Sequence, residues 1–199
     1  HKEYRRQRQM CIRDRNTGAE AVETAIKAAR RWGYFTKGIE INCAEIIVAE
    51  GNFHGRTTTI VGFSSDREYK KGFGPFADGF IEAEYCRTNC DCSKVCENSI
   101  RSIKNAINKN TCAVIVEPIQ GEGGIITPQS GWLKQLRELC NESNVLLILD
   151  EIQSGLGRTG KLFAFEHEDI KPDGLILGKA LGGGLLPVSA FLSSKEVMN

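Results

Sequence analysis

Two residues at the ends of apolar runs set the chemistry within reach of this 199-residue chain. Val145 to Leu149 is unbroken apolar sequence and ends on Asp150-Glu151-Ile152-Gln153. Leu175 to Leu177 is a shorter run and ends on Gly178-Lys179, at the mouth of a glycine-rich turn. Short apolar runs of this kind read as buried strands. In a parallel α/β sheet the carboxyl ends of neighbouring strands share one crevice, and ligands bind there. A lysine and an aspartate brought to that edge suit pyridoxal phosphate. This cofactor needs a lysine to hold its aldehyde and an acid beside its pyridine nitrogen. Alone, a lysine in a glycine-rich loop is ordinarily a solvated surface residue, and an aspartate at a strand end is ordinarily a cap. The two buried strands that deliver them favour chemistry.

The elements around these residues alternate in type, which predicts an α/β layered domain. A helix is expected from about Ala19 to Tyr34, because Val22, Ala25, Ile26 and Ala29 repeat at helical spacing. Ile46 to Ala49, Ala113 to Val116, Val145 to Leu149, Leu175 to Leu177 and Val188 to Leu192 read as strands. A short strand is also expected near Thr59 to Phe63, inside an irregular, glycine-rich stretch from Gly51 to Gly79. Ser99 is positioned to cap a helix with Ile100, Ile103 and Ile107 inward. Trp132 to Cys140 reads as a helix with Leu133, Leu136 and Leu139 on one side.

Gly155-Leu156-Gly157-Arg158-Thr159-Gly160 fits the dinucleotide pattern G-x-G-x-x-G, and Gly155 to Lys161 nearly fits the phosphate-loop pattern. A nucleotide-binding module is therefore an alternative of another class. The phosphate-loop reading fails at Leu162, where a hydroxyl must ligate magnesium. The dinucleotide reading lacks the tight turn directly after the strand, and no convincing amphipathic helix follows Gly160.

Six motifs, in this order, carry a resemblance that runs from Asn16 to the end of the chain. They are NTGAE (16–20), GNFHGRT (51–57), GFGPF (72–76), VEPIQGEGG (116–124), LDEIQSGLGRTGK (149–161) and GKALGGGLLPVSA (178–190). Together they resemble the class III (subgroup II) aminotransferases. RRWGYFTKGI (30–39) and GFGPF look most like the ornithine-using members. The resemblance implies the large domain of a fold type I pyridoxal-phosphate enzyme, with a mainly parallel sheet flanked by helices. It implies transfer of the δ-amino group of ornithine to 2-oxoglutarate, with acetylornithine or 4-aminobutyrate as the alternative donor. A homodimer is implied as well, with amino acids and 2-oxo acids as partners.

Residue roles follow from the same resemblance. Lys179 would hold the cofactor and move the substrate proton. Asp150 would face the ring nitrogen, and Gln153 the phenolic oxygen. Thr17, Gly18 and Ala19 lie at a helix amino terminus, where free amides and the helix dipole suit a phosphate. Phe53 would stack on the ring. Arg56 resembles the arginine that holds the substrate α-carboxylate, a task suited to a planar, always-charged fork. Glu122 resembles the glutamate that pairs with a C-terminal arginine beyond this sequence. Glu117, at a strand end before Pro118, reads as support for the site. His54 is given no role.

Composition adds bounds. A net charge of +1 offers no electrostatic case for nucleic acid or an acidic membrane surface. No apolar run reaches the length of a membrane span. No secretory signal is evident, so a soluble protein of the cytoplasm or mitochondrial matrix is expected, without a choice between them. His1 to Arg15 holds five arginines without apolar periodicity. Gln7 to Arg15 resembles a translated sequencing adaptor, so residues 1–15 are expected to lie outside the fold. Residues 16–199 then form an incomplete cofactor-binding domain, without its N-terminal segment and small C-terminal domain, and inactive alone. Of eight cysteines, Cys43, Cys112 and Cys140 sit in or beside apolar segments and read as buried thiols. Cys86, Cys90, Cys92 and Cys96 share one loop and read as free thiols in a reducing compartment. Their C-x3-C-x-C-x3-C spacing is not that of common zinc sites, so no metal is assigned.

Overall fold

A computed structural model of the chain describes residues 10–87 and 94–198. Its centre is a seven-stranded sheet. The strands are β1 (Met10–Arg15), β2 (Glu45–Ala49), β3 (Phe80–Ala83), β4 (Thr111–Val116), β5 (Leu146–Asp150), β6 (Gly174–Leu177) and β7 (Ser189–Ser194). They lie in the order β1-β7-β6-β5-β4-β2-β3. The pairs from β3 through β2, β4 and β5 to β6 are parallel, whereas β7 runs antiparallel to both β6 and β1. All six residues of β4 are buried. A central parallel strand has helices over both faces, which is why such strands are apolar throughout rather than alternating.

The two faces hold separate cores. On one, α1 (Gly18–Trp32) lays Val22, Ala25, Ile26 and Ala29 against Ile46, Ile115, Ile148 and Phe191. On the other, α4 (Lys94–Ala106) and α5 (Trp132–Glu142) place Ile103, Trp132, Leu133 and Leu136 against Ile47, Val114, Leu147 and Leu149. Neighbouring residues of one strand thus serve opposite cores, as the two-residue repeat of a strand requires. Thr17 caps α1 through a reciprocal box with Glu20.

Several expectations are corrected here. Thr58–Gly62 is a short helix, α2, rather than a strand. Thr57 caps it by accepting the Ile60 N–H, and Ile60 and Val61 are buried, so cap and packing override the strand preference of a β-branched run. Ser99 lies inside α4 and caps nothing. Its hydroxyl donates to the Glu84 carbonyl at 2.7 Å and accepts from the Trp132 indole at 3.1 Å. The short strand β3 was not anticipated. A further one-turn helix, α3 (Arg67–Lys70), follows α2, and another, α6 (Lys195–Met198), follows β7.

The exclusion of residues 1–15 from the fold is corrected for Met10 to Arg15. These residues pair with Ser194 to Ser189 of β7. Cys11 packs against the core, and the Arg15 guanidinium donates to Thr24 at 3.1 Å. An antiparallel edge strand needs backbone partners more than an apolar period, and none was visible in this segment. The four-free-thiol reading is corrected as well. Cys86 and Cys96 form a disulfide, with Cα atoms 4.6 Å apart. Cys90 and Cys92 lie outside the described residues. Cys43, Cys112 and Cys140 are free, with Cys112 and Cys140 buried and Cys43 half-buried. Among the described residues no helix is long and apolar enough to cross a membrane.

Candidate active site

The carboxyl ends of β2, β4, β5 and β6 open onto one crevice, and the amino terminus of α1 points into it. Six of the residues singled out from sequence line a single cavity there, of about 200 Å³: Gly18, Ala19, Phe53, Asp150, Gln153 and Lys179. His54 and Glu117 line the same cavity.

Lys179 follows β6 and has left-handed backbone, φ +43. That conformation costs a non-glycine residue on the order of 1 kcal/mol or more, and it clusters at functional positions. Its ammonium donates to the Gln153 amide oxygen. Asp150 ends β5 and is buried. One carboxylate oxygen accepts the Ile152 N–H at 3.0 Å, and the other accepts from His54 Nδ1 at 2.7 Å. Nε2 of His54 is buried and has no hydrogen-bond partner among the described residues. Burial opposes a charge on this imidazole. The hydrogen bond and charge of Asp150, with the charge of Glu117, outweigh it and raise its pKa.

Glu117 ties two loops together. Its carboxylate accepts the Phe53 N–H at 3.1 Å and the Gly121 N–H at 3.3 Å. Burial pushes its carboxyl up to about 7, with His54 opposing and Asp150 adding to the rise. The Tyr85 hydroxyl anchors the same strand end on the carbonyls of Glu117 and Pro118.

The cradle at α1 is built from close approach. A Cβ on Gly18 would lie 2.8 Å from Ile152, and one on Gly55, at φ +128, would lie 2.8 Å from Ala19. The Gly18 and Ala19 amides have no acceptor among the described residues. Thr17 lies outside the cavity lining, and its amide donates to Glu20 at 2.8 Å. Two free amides at a helix amino terminus, an aromatic ring, a buried carboxylate and a lysine in one cavity form the donor set that a phosphorylated pyridine aldehyde requires.

Arg56 and Glu122 are exposed and lie outside the cavity lining. The Arg56 guanidinium stands 4.4 Å from the Tyr69 ring centroid and 5.7 Å from that of Phe53. Glu122 makes no hydrogen bond or ion pair among the described residues. The nucleotide-binding alternative fails on geometry. The Gly155, Gly157 and Gly160 amides bond to the carbonyls of Glu151, Leu162 and Gly157 within the loop, and a 3-10 turn, Ala164–Glu168, follows in place of an α-helix.

Sequence reasoning missed the contact of His54 with Asp150 and that of Arg56 with Tyr69. The pairing of His54 with Asp150 spans 96 residues of chain, and no local pattern announces it. Only its place beside Phe53, inside a motif, hinted at a role.

Comparison with known proteins accords with this arrangement. The family model for aminotransferase class III matches residues 7–199. Ornithine aminotransferase 2 of Staphylococcus aureus (strain MRSA252) is 58% identical over 184 residues, which cover 92% of this chain and 43% of the relative. A structure of the ornithine aminotransferase from Toxoplasma gondii, described as having partial occupancy of PLP at its active site, aligns with a TM-score of 0.87 and 42% identity. That alignment covers 94% of this chain and 41% of the other. Acetylornithine aminotransferase from Elizabethkingia anophelis aligns with a TM-score of 0.74 and 50% identity, over 94% of this chain and 43% of that one.

The chain belongs to the class III aminotransferases, whose cofactor is pyridoxal phosphate. Its mostly parallel sheet with flanking helices is the fold of that family. It spans less than half the length of the curated relatives it matches.

Proposed function

We propose that the protein containing this chain transfers the δ-amino group of ornithine to 2-oxoglutarate, giving glutamate 5-semialdehyde and glutamate. The observation that carries transamination is the meeting of Lys179, Asp150 and Phe53 at one cavity beside two free helix amides. The choice of ornithine is supported by the 58% identity with the Staphylococcus enzyme of that name.

Bound pyridoxal phosphate supplies an aldehyde and an electron-accepting ring. The chain supplies the rest. Lys179 holds the cofactor and moves a proton at the substrate carbon that bears the amino group. Gln153 sets the position of the Lys179 amine and reaches the cofactor's phenolic oxygen. Asp150 presents negative charge to the ring nitrogen, and His54 keeps that carboxylate oriented. Phe53 covers one face of the ring. Gly18 and Ala19 hold the phosphate, with Thr17 shaping the helix start that presents them. Arg56 takes the substrate α-carboxylate. Glu122, without a partner among the described residues, is available to pair with an arginine from elsewhere in the whole protein. A homodimer is supported by Leu185 and Leu186, 89% and 74% exposed in the loop after Lys179. Two adjacent exposed leucines beside the site give a second copy an apolar surface to cover.

The second reading, acetylornithine as donor, is favoured by the 50% identity with the Elizabethkingia enzyme. Full-length protein should be assayed with 2-oxoglutarate against ornithine, acetylornithine and 4-aminobutyrate. Turnover highest on ornithine is expected. A preference for either other donor would replace the first reading, and no turnover on any of them would remove both.

A further inference from the structure

Arg56 is displayed in an unusual way for an exposed cation. Among the described residues no carboxylate pairs with it. Its guanidinium rests on aromatic rings instead, 4.4 Å from the centroid of Tyr69 and 5.7 Å from that of Phe53. The two rings meet edge to face, with centroids 6.2 Å apart and planes at 73°. The three side chains come from two elements. Phe53 and Arg56 flank the left-handed Gly55, and Tyr69 comes from α3, which Asp66 caps by accepting the Glu68 N–H at 2.9 Å. Among the described residues no hydrogen bond engages the Arg56 guanidinium, so its N–H edge, the part that makes paired bonds to a carboxylate, is open. An acidic partner would do the reverse, occupying that edge and neutralising the charge.

We propose that Tyr69 is a positioning residue for amino-acid recognition. Its ring holds the Arg56 guanidinium, with the paired-donor edge free, at a set distance from the ring of Phe53. Tyr69 thereby couples the residue that receives the substrate carboxylate to the residue that covers the cofactor. The proposal rests on the reading of Arg56 as the carboxylate-binding group. The ring face carries the effect, because a cation over an aromatic ring is attracted by its quadrupole. The Tyr69 hydroxyl has no part in it.

The test uses full-length holoenzyme and a single half-reaction followed by cofactor absorbance, with L-ornithine as donor. Tyr69→Leu should raise the half-saturating ornithine concentration about three- to tenfold, with the maximal rate changed less than about twofold. Tyr69→Phe keeps the ring and should bring that concentration back to within about twofold of the parent. With 1,4-diaminobutane, which has the two amines but no carboxylate, Tyr69→Leu should shift the half-saturating concentration far less than with ornithine, by under about twofold. In an Arg56→Gln background, Tyr69→Leu should add no further rise, since the two residues act as a unit. An unchanged ornithine requirement in Tyr69→Leu would overturn the proposal. So would an equal rise for 1,4-diaminobutane, or a failure of Tyr69→Phe to restore binding. If Arg56→Gln weakens ornithine and Tyr69→Leu does not, only the role of Tyr69 falls. If Arg56→Gln itself leaves ornithine unaffected, the underlying reading of Arg56 falls with it.

Discussion

His54 Nδ1 lies 2.7 Å from the Asp150 carboxylate, and the two side chains are 0% and 3% exposed. This contact joins the loop after β2 to the end of β5. Both Asp150 oxygens are thereby engaged, one by the imidazole and one by the Ile152 amide. The carboxylate that faces the ring nitrogen in the proposed mechanism has little freedom to rotate. Removing the imidazole should matter although His54 itself touches no reacting atom. A hydrogen bond to a charged group contributes about 1.5–3 kcal/mol. His54→Ala should therefore lower turnover about tenfold or more. His54→Asn, which keeps a donor, should recover part of it. Equal activity in parent and His54→Ala would show that Asp150 orients itself.

Lys179→Ala should abolish turnover while the full-length protein still takes up cofactor without a covalent link. Borohydride should then fix no cofactor to the chain. Asp150→Asn should fold normally and lose on the order of 3 kcal/mol of transition-state stabilisation, about a hundredfold in rate. A loss under about tenfold would count against the assignment.

The Glu117 carboxyl is buried and titrates at about 7, against 4.5 for an exposed glutamate. Between those values the folded chain holds a proton that the unfolded chain releases. Stability from this group is thus fully present below about pH 4.5 and declines as pH rises through about 7. The shift corresponds to a decline on the order of 3 kcal/mol. His54 is also raised, so its contribution falls in the same direction above its ordinary value of 6.5. Glu117→Gln should flatten the pH dependence of melting across this window. A variant whose dependence matched the parent's would sink this account.

The Cys86–Cys96 bond closes a short loop, with a sequence separation of 10. Closure of a loop that size should stabilise by about 2–3 kcal/mol, which for a chain of this length is several degrees in Tm. Cys86→Ser and Cys96→Ser should each melt that much lower, and reductant should lower the parent to match them. Identical melting with and without reductant would argue that the two sulfurs remain thiols.

Deleting residues 1–15 removes β1 and turns β7 into an edge strand. The sequence predicts no effect from this deletion; the pairing of Met10–Arg15 with Ser189–Ser194 predicts a loss on the order of 2 kcal/mol and a greater tendency to aggregate. Thermal melting and light scattering of the two versions decide between these outcomes.

Much of the architecture was legible before any coordinates. Buried parallel strands are continuous apolar runs, so β2, β4, β5 and β6 were found by their composition, with Asp150 and Lys179 at the ends of two of them. The resemblance carried by the motifs pointed to Phe53, Gln153, Gly18 and Ala19, which are local to a strand end or a helix start. What spans the chain was not legible. The carboxylate of Asp150 meets His54 only because β5 and the loop after β2 open on the same edge of the sheet. Arg56 rests on Tyr69 because a capped turn, not the expected strand, carries the chain back past Gly55. Met10–Arg15 became a strand because β7 offered unpaired backbone groups. Cys86 met Cys96 because β3 ends beside the start of α4. Local sequence carries propensity and periodicity, which act over a few residues. Partners drawn from distant segments depend on strand order and loop paths, which only the folded chain sets.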